Sequence, residues 1–271
     1  MFRILTRNKL RNYNKKSLGQ NFLTDKNIIK KIVNLVNAKN KSVIEIGPGK
    51  GALTDEILKQ KPKSFTVIEK DNYLSQQLKE KYKQNKILKI LNEDILNFNL
   101  QKLKLKNYII FGNLPYNISS QILVKLTRFQ KWPPNFSDVV FMFQKELGEK
   151  ILGKYPSHKY GRISILSGYR FNFLNKFEVS QNCFFPKPKV KSIVIHFKPK
   201  QDKRFLIKDI KNLEKITNIL FSNKRKMIRK GIFKILDKNK VKKINELNLD
   251  LRPSKIKPDI YYKITELFEM N

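Results

Sequence analysis

A chain of 271 residues with 40% hydrophobic and 11% aromatic residues can build a core of its own, which excludes disorder along its whole length. Lysine and arginine number 58 against 22 acidic residues, which gives a net charge of +36. Part of this excess fits the codon usage of an A/T-rich genome. The electric field of the charge nevertheless predicts a polyanionic partner, and we favour nucleic acid over a membrane surface. The single cysteine, Cys183, excludes an internal disulfide. The two histidines lack metal-ligand spacing, so no metal site is expected. No apolar run has the roughly 18 residues of a membrane span, so no membrane-spanning segment is expected.

The first sixteen residues, MFRILTRNKLRNYNKK, are basic, contain no acidic residue and are mildly amphipathic. This composition is typical of a basic arm that contacts nucleic acid, and also of an organelle-import segment. We favour a nucleic-acid-binding arm over residues 1–16 in a cytoplasmic protein, and import stays open.

Apolar strands then alternate with helical segments such as ALTDEILKQ and NYLSQQLKEKY. The predicted strands are, in chain order, SVIEIG, SFTVIEKD, KILKILNEDIL, NYIIFGNLP and DVVFMF. This alternation predicts an α/β fold with a doubly wound, mostly parallel, Rossmann-like sheet, whose ligand crevice lies at the carboxyl ends of the strands.

The end of the chain has a different pattern. A largely buried helix, GRISILSGYRF, precedes two late strands, NKFEVS and SIVIHFKP, and the proline-rich turn between them indicates an antiparallel strand at that edge. From residue 205 only helical periodicity is visible. We therefore predict a sheet domain over residues 17–200 and a small all-α, basic domain over residues 205–271.

A glycine-rich turn and two acids follow successive strands. Gly47, Gly49 and Gly51 are spaced G-x-G-x-G, which fits a nucleoside-amino-acid ligand better than a pyrophosphate, although a structural turn is the alternative. Glu69, 18 residues after Gly51, has the position of an acid that binds ribose hydroxyls. The Asp94 carboxylate, at the end of the third predicted strand, can accept a hydrogen bond from the exocyclic amine of adenine. The alternative is that Asp94 only stabilises a turn or caps a helix.

Five motifs occur in a fixed order: SLGQNFL (17–23), EIGPGKGALT (45–54), NLPYNIS (113–119), YGRISIL (160–166) and FFPKPKVKS (184–192). Together they resemble the KsgA-type ribosomal RNA adenine dimethyltransferases, an S-adenosylmethionine-dependent methyltransferase family, over nearly the whole chain. The resemblance implies two methylations of one adenosine nitrogen in a small-subunit (16S-type) ribosomal RNA hairpin. We expect a monomer that acts on the immature small ribosomal subunit. A non-catalytic RNA-binding assembly factor and an Erm-like enzyme for large-subunit RNA are the alternatives.

The resemblance also implies roles for individual residues in binding S-adenosylmethionine. Asn21 and Leu23 would lie over the cofactor, and Gly47 would lie by its methionine portion. Gly49 of the same turn would also contact the cofactor. The remaining cofactor contacts would be Glu69 on the ribose, Asp94 on the adenine, and Asn113 between cofactor and substrate.

The NLPY turn has chemistry that can be argued from its residue types. The exocyclic amine of adenine is a poor nucleophile, and its two hydrogens can be accepted by the Asn113 side-chain oxygen and by the carbonyl of Leu114 or Pro115. Tyr116 offers a ring for the extruded base, and Phe184 could close the other face. A rigid strand-to-helix turn is the alternative for NLPY, and core packing is the alternative for Phe184.

Two basic groups are candidates for phosphate contacts. Lys187 and Lys189 lie in FFPKPKVKS. In the tail, FSNKRKMIRKGI predicts a helix with a basic stripe along one face. A charged face that is merely solvated, with no RNA contact, is the alternative. The candidate RNA-binding residues there are Lys224, Arg225, Lys226 and Arg229.

Overall fold

The structure, a computed structural model, describes residues 21–201 and 204–270. The predicted arm over residues 1–16 and the first part of the SLGQNFL motif lie outside the described residues. The strands are β1 (Phe22–Leu23), β2 (Ser42–Ile46), β3 (Ser64–Glu69), β4 (Leu88–Asn92), β5 (Tyr108–Asn113), β6 (Phe136–Gln144), β7 (Phe171–Val179), β8 (Phe184–Phe185) and β9 (Ser192–Pro199).

Two of the helices of the sheet domain begin at a capping aspartate. Asp25 caps the first helix by accepting the N–H groups of Asn27 and Ile28, and Asp71 caps the third in the same way. The helices are α1 (Lys26–Val33), α2 (Ala52–Lys59), α3 (Asn72–Lys81), α4 (Ser119–Thr127), α5 (Lys145–Ile151), α6 (Arg162–Arg170), α7 (Ile210–Phe221), α8 (Arg229–Ile232), α9 (Lys238–Lys242) and α10 (Pro258–Phe268). In the described residues, no helix is long and apolar enough to cross a membrane.

Seven strands form one sheet in the order β4-β3-β2-β5-β6-β9-β7. Strands β2 to β6 pair in parallel with one another, and β9 pairs antiparallel with both β6 and β7. The predicted α/β fold with antiparallel pairing at one edge is therefore confirmed. The antiparallel strand β9 lies inside the edge strand β7, and a separate antiparallel pair joins β1 to β8.

The central strands are mostly apolar because both faces of the sheet are covered. Ile44 and Ile110 belong to the core on one face, and Val43 and Phe111 to the core on the other. Their alternation along β2 and β5 follows from the period of two in a strand. Loop residues at the carboxyl ends of these strands are left to form a site.

A third core joins the C-terminal helices to the sheet domain. Residues of α6, α7, α8 and α10 are buried together in it, and Val241 of α9 packs against it. The Tyr262 hydroxyl donates to the Ile165 carbonyl at 3.0 Å, and the Arg128 guanidinium pairs with Glu214 at 2.6 Å. The described elements from residue 210 onward are helical, which confirms the predicted all-α C-terminal region and explains why α6 is buried.

Candidate active site

The carboxyl ends of β2, β3 and β5 open on a cavity of about 470 Å³. Its volume lies in the range of about 300–1,000 Å³ that is usual for small-molecule sites. The turn after β2, Glu69 and the turn after β5 form its walls, and the β1–β8 pair contributes Asn21–Thr24 and Phe185. The predicted crevice at the strand ends is thus present as a cavity.

The glycine turn needs glycine at two positions for different contacts. Gly49 has φ +58°, and a Cβ there would lie 3.0 Å from the Phe22 ring. Gly51 has φ +82°, and its Cβ would lie 2.5 Å from the Tyr82 hydroxyl oxygen. Both the left-handed backbone and the lack of space therefore favour glycine at these positions.

Glu69 connects the glycine turn to the end of β3. One carboxylate oxygen accepts the Gly49 N–H at 3.2 Å, and the other accepts the Asp71 N–H at 2.8 Å. Burial raises the pKa of Glu69, and these hydrogen bonds oppose the rise. Each oxygen keeps a further lone pair for a hydroxyl donor, as the predicted ribose contact requires.

Glu45 is a buried acid at the same cavity, and no role was predicted for it from the sequence. Its side chain is buried in β2 and accepts the Thr54 hydroxyl at 2.6 Å. Burial raises the pKa of Glu45 to about 8, and the negative charges of Glu69 and Asp55 act in the same direction. The signal that could have identified it is an acid inside an otherwise apolar strand.

Asp94 lies two residues after the end of β4, outside the set of residues that line the cavity. Its carboxylate pairs with the Lys70 ammonium at 2.8 Å and accepts the Leu96 N–H at 2.9 Å. Lys70 itself lines the cavity. An adenine contact for Asp94 stays a prediction.

The NLPY turn presents two acceptors. The Asn113 amide nitrogen donates to the Asn21 carbonyl at 3.2 Å, which leaves the side-chain oxygen without a partner in the described residues. The Pro115 carbonyl accepts the Ile118 N–H at 3.2 Å, whereas the Leu114 carbonyl accepts no hydrogen bond within residues 21–201 and 204–270. Of the two carbonyls that the sequence left open, the geometry favours Leu114.

Tyr116 is held by a residue for which the sequence predicted no role. Its hydroxyl lies 2.6 Å from the hydroxyl of Ser192, a fully buried residue that begins β9. Burial raises the pKa of Tyr116, so the phenol stays neutral. Its ring lines the cavity wall, as a stacking role requires.

The two phenylalanines of β8 have opposite environments, because neighbouring residues in a strand point to opposite faces. Phe184 is 5% exposed and packs in the core beside Leu23. Phe185 is 49% exposed and lines the cavity. The structure thus places Phe184 in the core, in line with the alternative of core packing, and places Phe185 at the cavity. A stacking role for Phe184 stays a prediction.

The candidate phosphate-binding residues are exposed, but the predicted stripe is wrong. Lys187 and Lys189 lie in the loop directly after Phe185. Lys224 to Lys226 form a turn rather than a helix, and α8 has only four residues. The Ile228 and Arg229 N–H groups bond to carbonyls of the 249–251 segment instead of to the preceding helical turn, and the Arg229 guanidinium pairs with Asp250.

A doubly wound sheet with a glycine turn, a buried acid at the next strand end and an NLPY turn defines a Rossmann-like methyltransferase. The model of one family, described as ribosomal RNA adenine dimethylase, matches residues 11–269, and the chain belongs to this family. The prediction of a ribosomal RNA adenine dimethyltransferase is therefore confirmed, and such an enzyme requires a methyl donor.

Curated relatives cover most of the chain. It is 43% identical over 262 residues to ribosomal RNA small subunit methyltransferase A of Pelagibacter ubique, which covers 94% of this chain and 97% of the relative. It is 39% identical to the protein of the same name from Malacoplasma penetrans, over 92% of this chain and 90% of the relative.

Solved structures with low sequence identity share the fold. The dimethyladenosine transferase of Plasmodium falciparum is 22% identical, with a TM-score of 0.74 over 90% of this chain and 95% of that one. The 23S rRNA methyltransferase ErmE is 21% identical, with a TM-score of 0.68 over 92% of this chain and 100% of that one.

Proposed function

We propose that this chain transfers methyl groups from S-adenosylmethionine to the exocyclic amine of adenosines in a small-subunit ribosomal RNA hairpin, giving dimethyladenosine during ribosome biogenesis. The observation that carries the proposal is a pair of acceptors beside Tyr116, Asn113 Oδ1 and the Leu114 carbonyl, that have no hydrogen-bond partner among the described residues. The names of the curated relatives support the small subunit as the source of the RNA.

The chemistry follows from what these groups accept. An adenine amine has two hydrogens and a lone pair that is delocalised into the ring. If Asn113 Oδ1 and the Leu114 carbonyl accept the two hydrogens, the nitrogen is favoured in a tetrahedral form whose lone pair is free to attack. Rings on both sides, Tyr116 and Phe185, would hold the extruded base in the cavity.

Neighbouring residues keep this arrangement rigid. The Asn21 carbonyl orients the Asn113 amide by taking its N–H, so that the oxygen is the atom offered to the substrate. Ser192 orients the Tyr116 ring through its hydroxyl. Holding two reactants in line can supply roughly 7–11 kcal/mol of the barrier reduction.

The cavity residues fit S-adenosylmethionine. Glu69 offers carboxylate oxygens for ribose hydroxyls, the glycine turn allows close approach of a ligand, and Glu45 places a second acid where a cation would be bound. Asn21, Leu23 and Gly47 complete the proposed contacts. When bound, the cofactor supplies an activated methyl group on a sulfonium.

The remaining parts of the chain would bind the particle. We propose that Lys187, Lys189 and the turn over Lys224–Lys226 contact phosphates, together with Arg229 and the arm over residues 1–16. The division into a catalytic domain (17–200) and an RNA-binding domain (205–271), a monomeric state, action on the immature subunit and a cytoplasmic location belong to the same proposal.

The test is transfer of labelled methyl groups to small subunits that lack the modification, followed by mapping of the methylated adenosines. Asn113→Ala is expected to lower turnover by roughly 10²–10³ while RNA affinity holds. Asn175→Ala, the same change at an exposed asparagine of β7, serves as the control. No transfer by the wild type despite cofactor binding, or an equal loss of RNA affinity in Asn113→Ala, would contradict the proposal.

A further inference from the structure

The active-site cavity is lined by side chains of both charges: the cations Lys50 and Lys70, and the acids Glu45, Asp55 and Glu69. Two of these charges are compensated by ion pairs with residues outside the lining. Lys70 pairs with Asp94 at 2.8 Å, and Asp55 pairs with Lys81 at 2.6 Å. Lys50 forms no ion pair among residues 21–201 and 204–270.

The Phe22 ring holds the Lys50 ammonium beside the glycine turn. Lys50 Nζ lies 4.6 Å from the centroid of this ring. The same ring is the group that a Cβ at Gly49 would meet at 3.0 Å. Pairing of β1 with β8 sets Phe22 opposite Phe185 and so fixes where the ring lies. A cation–π contact of this kind restrains the ammonium and leaves its N–H groups available to an acceptor.

Lys50 lies at the rim of the active-site cavity. It also lines a smaller cavity of about 420 Å³, whose other walls come largely from α3. The residue as a whole is exposed, but partial burial of its ammonium lowers the pKa of Lys50. An anion bound at this rim would offset the lost hydration, because an opposite charge stabilises the ammonium.

We propose that Lys50 binds the α-carboxylate of the methionine portion of S-adenosylmethionine and so selects a methyl donor that carries this group. The inference rests on the proposed function, which places the methionine portion beside Gly47 of the same turn. The cofactor has one carboxylate and two cationic groups, a sulfonium and an ammonium. Glu45 offers an acid to a cation, and Lys50 is the lining cation without an ion pair in the described part of the chain.

The experiment measures the binding of two ligands by calorimetry: S-adenosylmethionine and its decarboxylated form, which keeps the sulfonium and the amine but lacks the carboxylate. Lys50→Met removes the ammonium and keeps an apolar side chain of similar length over Phe22. Lys50→Arg keeps the positive charge. Lys79→Met, the same change at an exposed lysine of α3 outside the lining of the cavity, serves as the control.

Lys50→Met should weaken binding of S-adenosylmethionine by roughly 3- to 10-fold, between the effect of an exposed ion pair and that of a buried charged hydrogen bond. Its binding of the decarboxylated form should be unchanged or tighter, because that ligand has only positive charges, which the Lys50 ammonium repels. The wild type should prefer S-adenosylmethionine over the decarboxylated form, and Lys50→Met should lose most of this preference. Lys50→Arg and Lys79→Met should keep it.

Four outcomes would overturn the inference. Equal weakening of both ligands in Lys50→Met would indicate that Lys50 acts through packing on Phe22, and unchanged binding of both would place the carboxylate elsewhere. Equal weakening by Lys79→Met would assign the effect to the general field of the protein. Weaker binding of small-subunit RNA with unchanged binding of the cofactor would assign Lys50 to a phosphate. Binding of S-adenosylmethionine by the wild type in the same preparation separates these results from failure of the proposed function.

Discussion

Replacing Glu45 by glutamine removes a carboxyl group that the fold buries beside the active-site cavity. Glutamine has nearly the same shape and keeps an oxygen that can accept the Thr54 hydroxyl. The substitution therefore changes the ionisation of the site with little change in packing. It is expected to make the folded protein more stable at neutral pH.

The magnitude follows from the raised pKa. Folding raises the pKa of Glu45 from its usual 4.5 to about 8. A carboxyl group with a raised pKa contributes stability that is fully present below pH 4.5 and is lost as the pH rises towards 8. At pH 7 the loss is about 3 kcal/mol, from about 2.5 pH units at about 1.36 kcal/mol each. Glu45→Gln does not titrate and avoids this loss.

The assay is urea unfolding at pH 5, 7 and 8.5. The free energy of unfolding of Glu45→Gln should exceed that of the wild type by about 3 kcal/mol at pH 7 and by clearly less at pH 5. Glu80→Gln, the same change at an exposed site of α3, should differ from the wild type by no more than about 0.5 kcal/mol. A less stable Glu45→Gln at pH 7, or a difference independent of pH, would refute the reasoning.

A cationic cofactor should favour the ionised form of Glu45, because opposite charges lower a carboxyl pKa. Cofactor binding by the wild type is then expected to release protons and to tighten between pH 6 and 8. Calorimetry in buffers of different ionisation enthalpy measures the release. Glu45→Gln should release fewer protons and bind more weakly, and equal release by both proteins would exclude Glu45 as the source.

Three further substitutions test the site. Phe185→Ala should weaken RNA binding by about 1–3 kcal/mol, as measured by calorimetry. Phe184→Ala should lower the free energy of unfolding by about 3–5 kcal/mol, as measured by urea unfolding. The reverse pattern would indicate that Phe184 is the stacking residue. Ser192→Ala should leave the part-buried Tyr116 hydroxyl without its partner at a cost of about 1 kcal/mol. It should also lower turnover, with no added loss of turnover in the double variant with Tyr116→Phe; additive losses would argue against a shared role. Gly51→Ala should lower the free energy of unfolding by about 1–3 kcal/mol through its left-handed backbone. Adding Tyr82→Phe to this variant should restore only the part of the loss that comes from the contact with the Tyr82 hydroxyl. Complete restoration in urea unfolding would exclude backbone strain.

The positions of the strands and of the glycine turn were predictable because they depend on local patterns. Apolar runs of the right length predicted β2 to β6, and the strand ends predicted where Glu69 and Asn113 would meet. The parallel arrangement follows from the alternation with helices. These predictions needed no knowledge of long-range contacts.

The basic segment after α7 shows where a local pattern was insufficient. Its composition predicted a helix, but the Ile228 N–H bonds to the Leu251 carbonyl at 3.0 Å, and the Arg229 N–H bonds to the Leu249 carbonyl at 3.2 Å. These partners replace the carbonyls of the preceding helical turn and end the helix. A contact between segments of the tail thus outweighs local propensity.

The roles of Phe184 and Phe185 depended in the same way on pairing. A strand of two adjacent aromatic residues buries one and exposes the other, and the sequence does not say which. The antiparallel pairing of β8 with β1 sets Phe184 opposite Leu23 and Phe185 opposite Phe22. Only this register turns the Phe185 ring to the cavity.

The amino-acid sequence by itself determined the order of the strands and helices, the family and the residues at the strand ends, because these follow from periodicity, turn chemistry and motifs within short segments. The tertiary structure decided which acceptors of the NLPY turn lack a hydrogen-bond partner among the described residues, because Asn113 is oriented by Asn21 and Tyr116 by Ser192, 92 and 76 residues away. Contacts across such separations exist only once the sheet has brought the segments together.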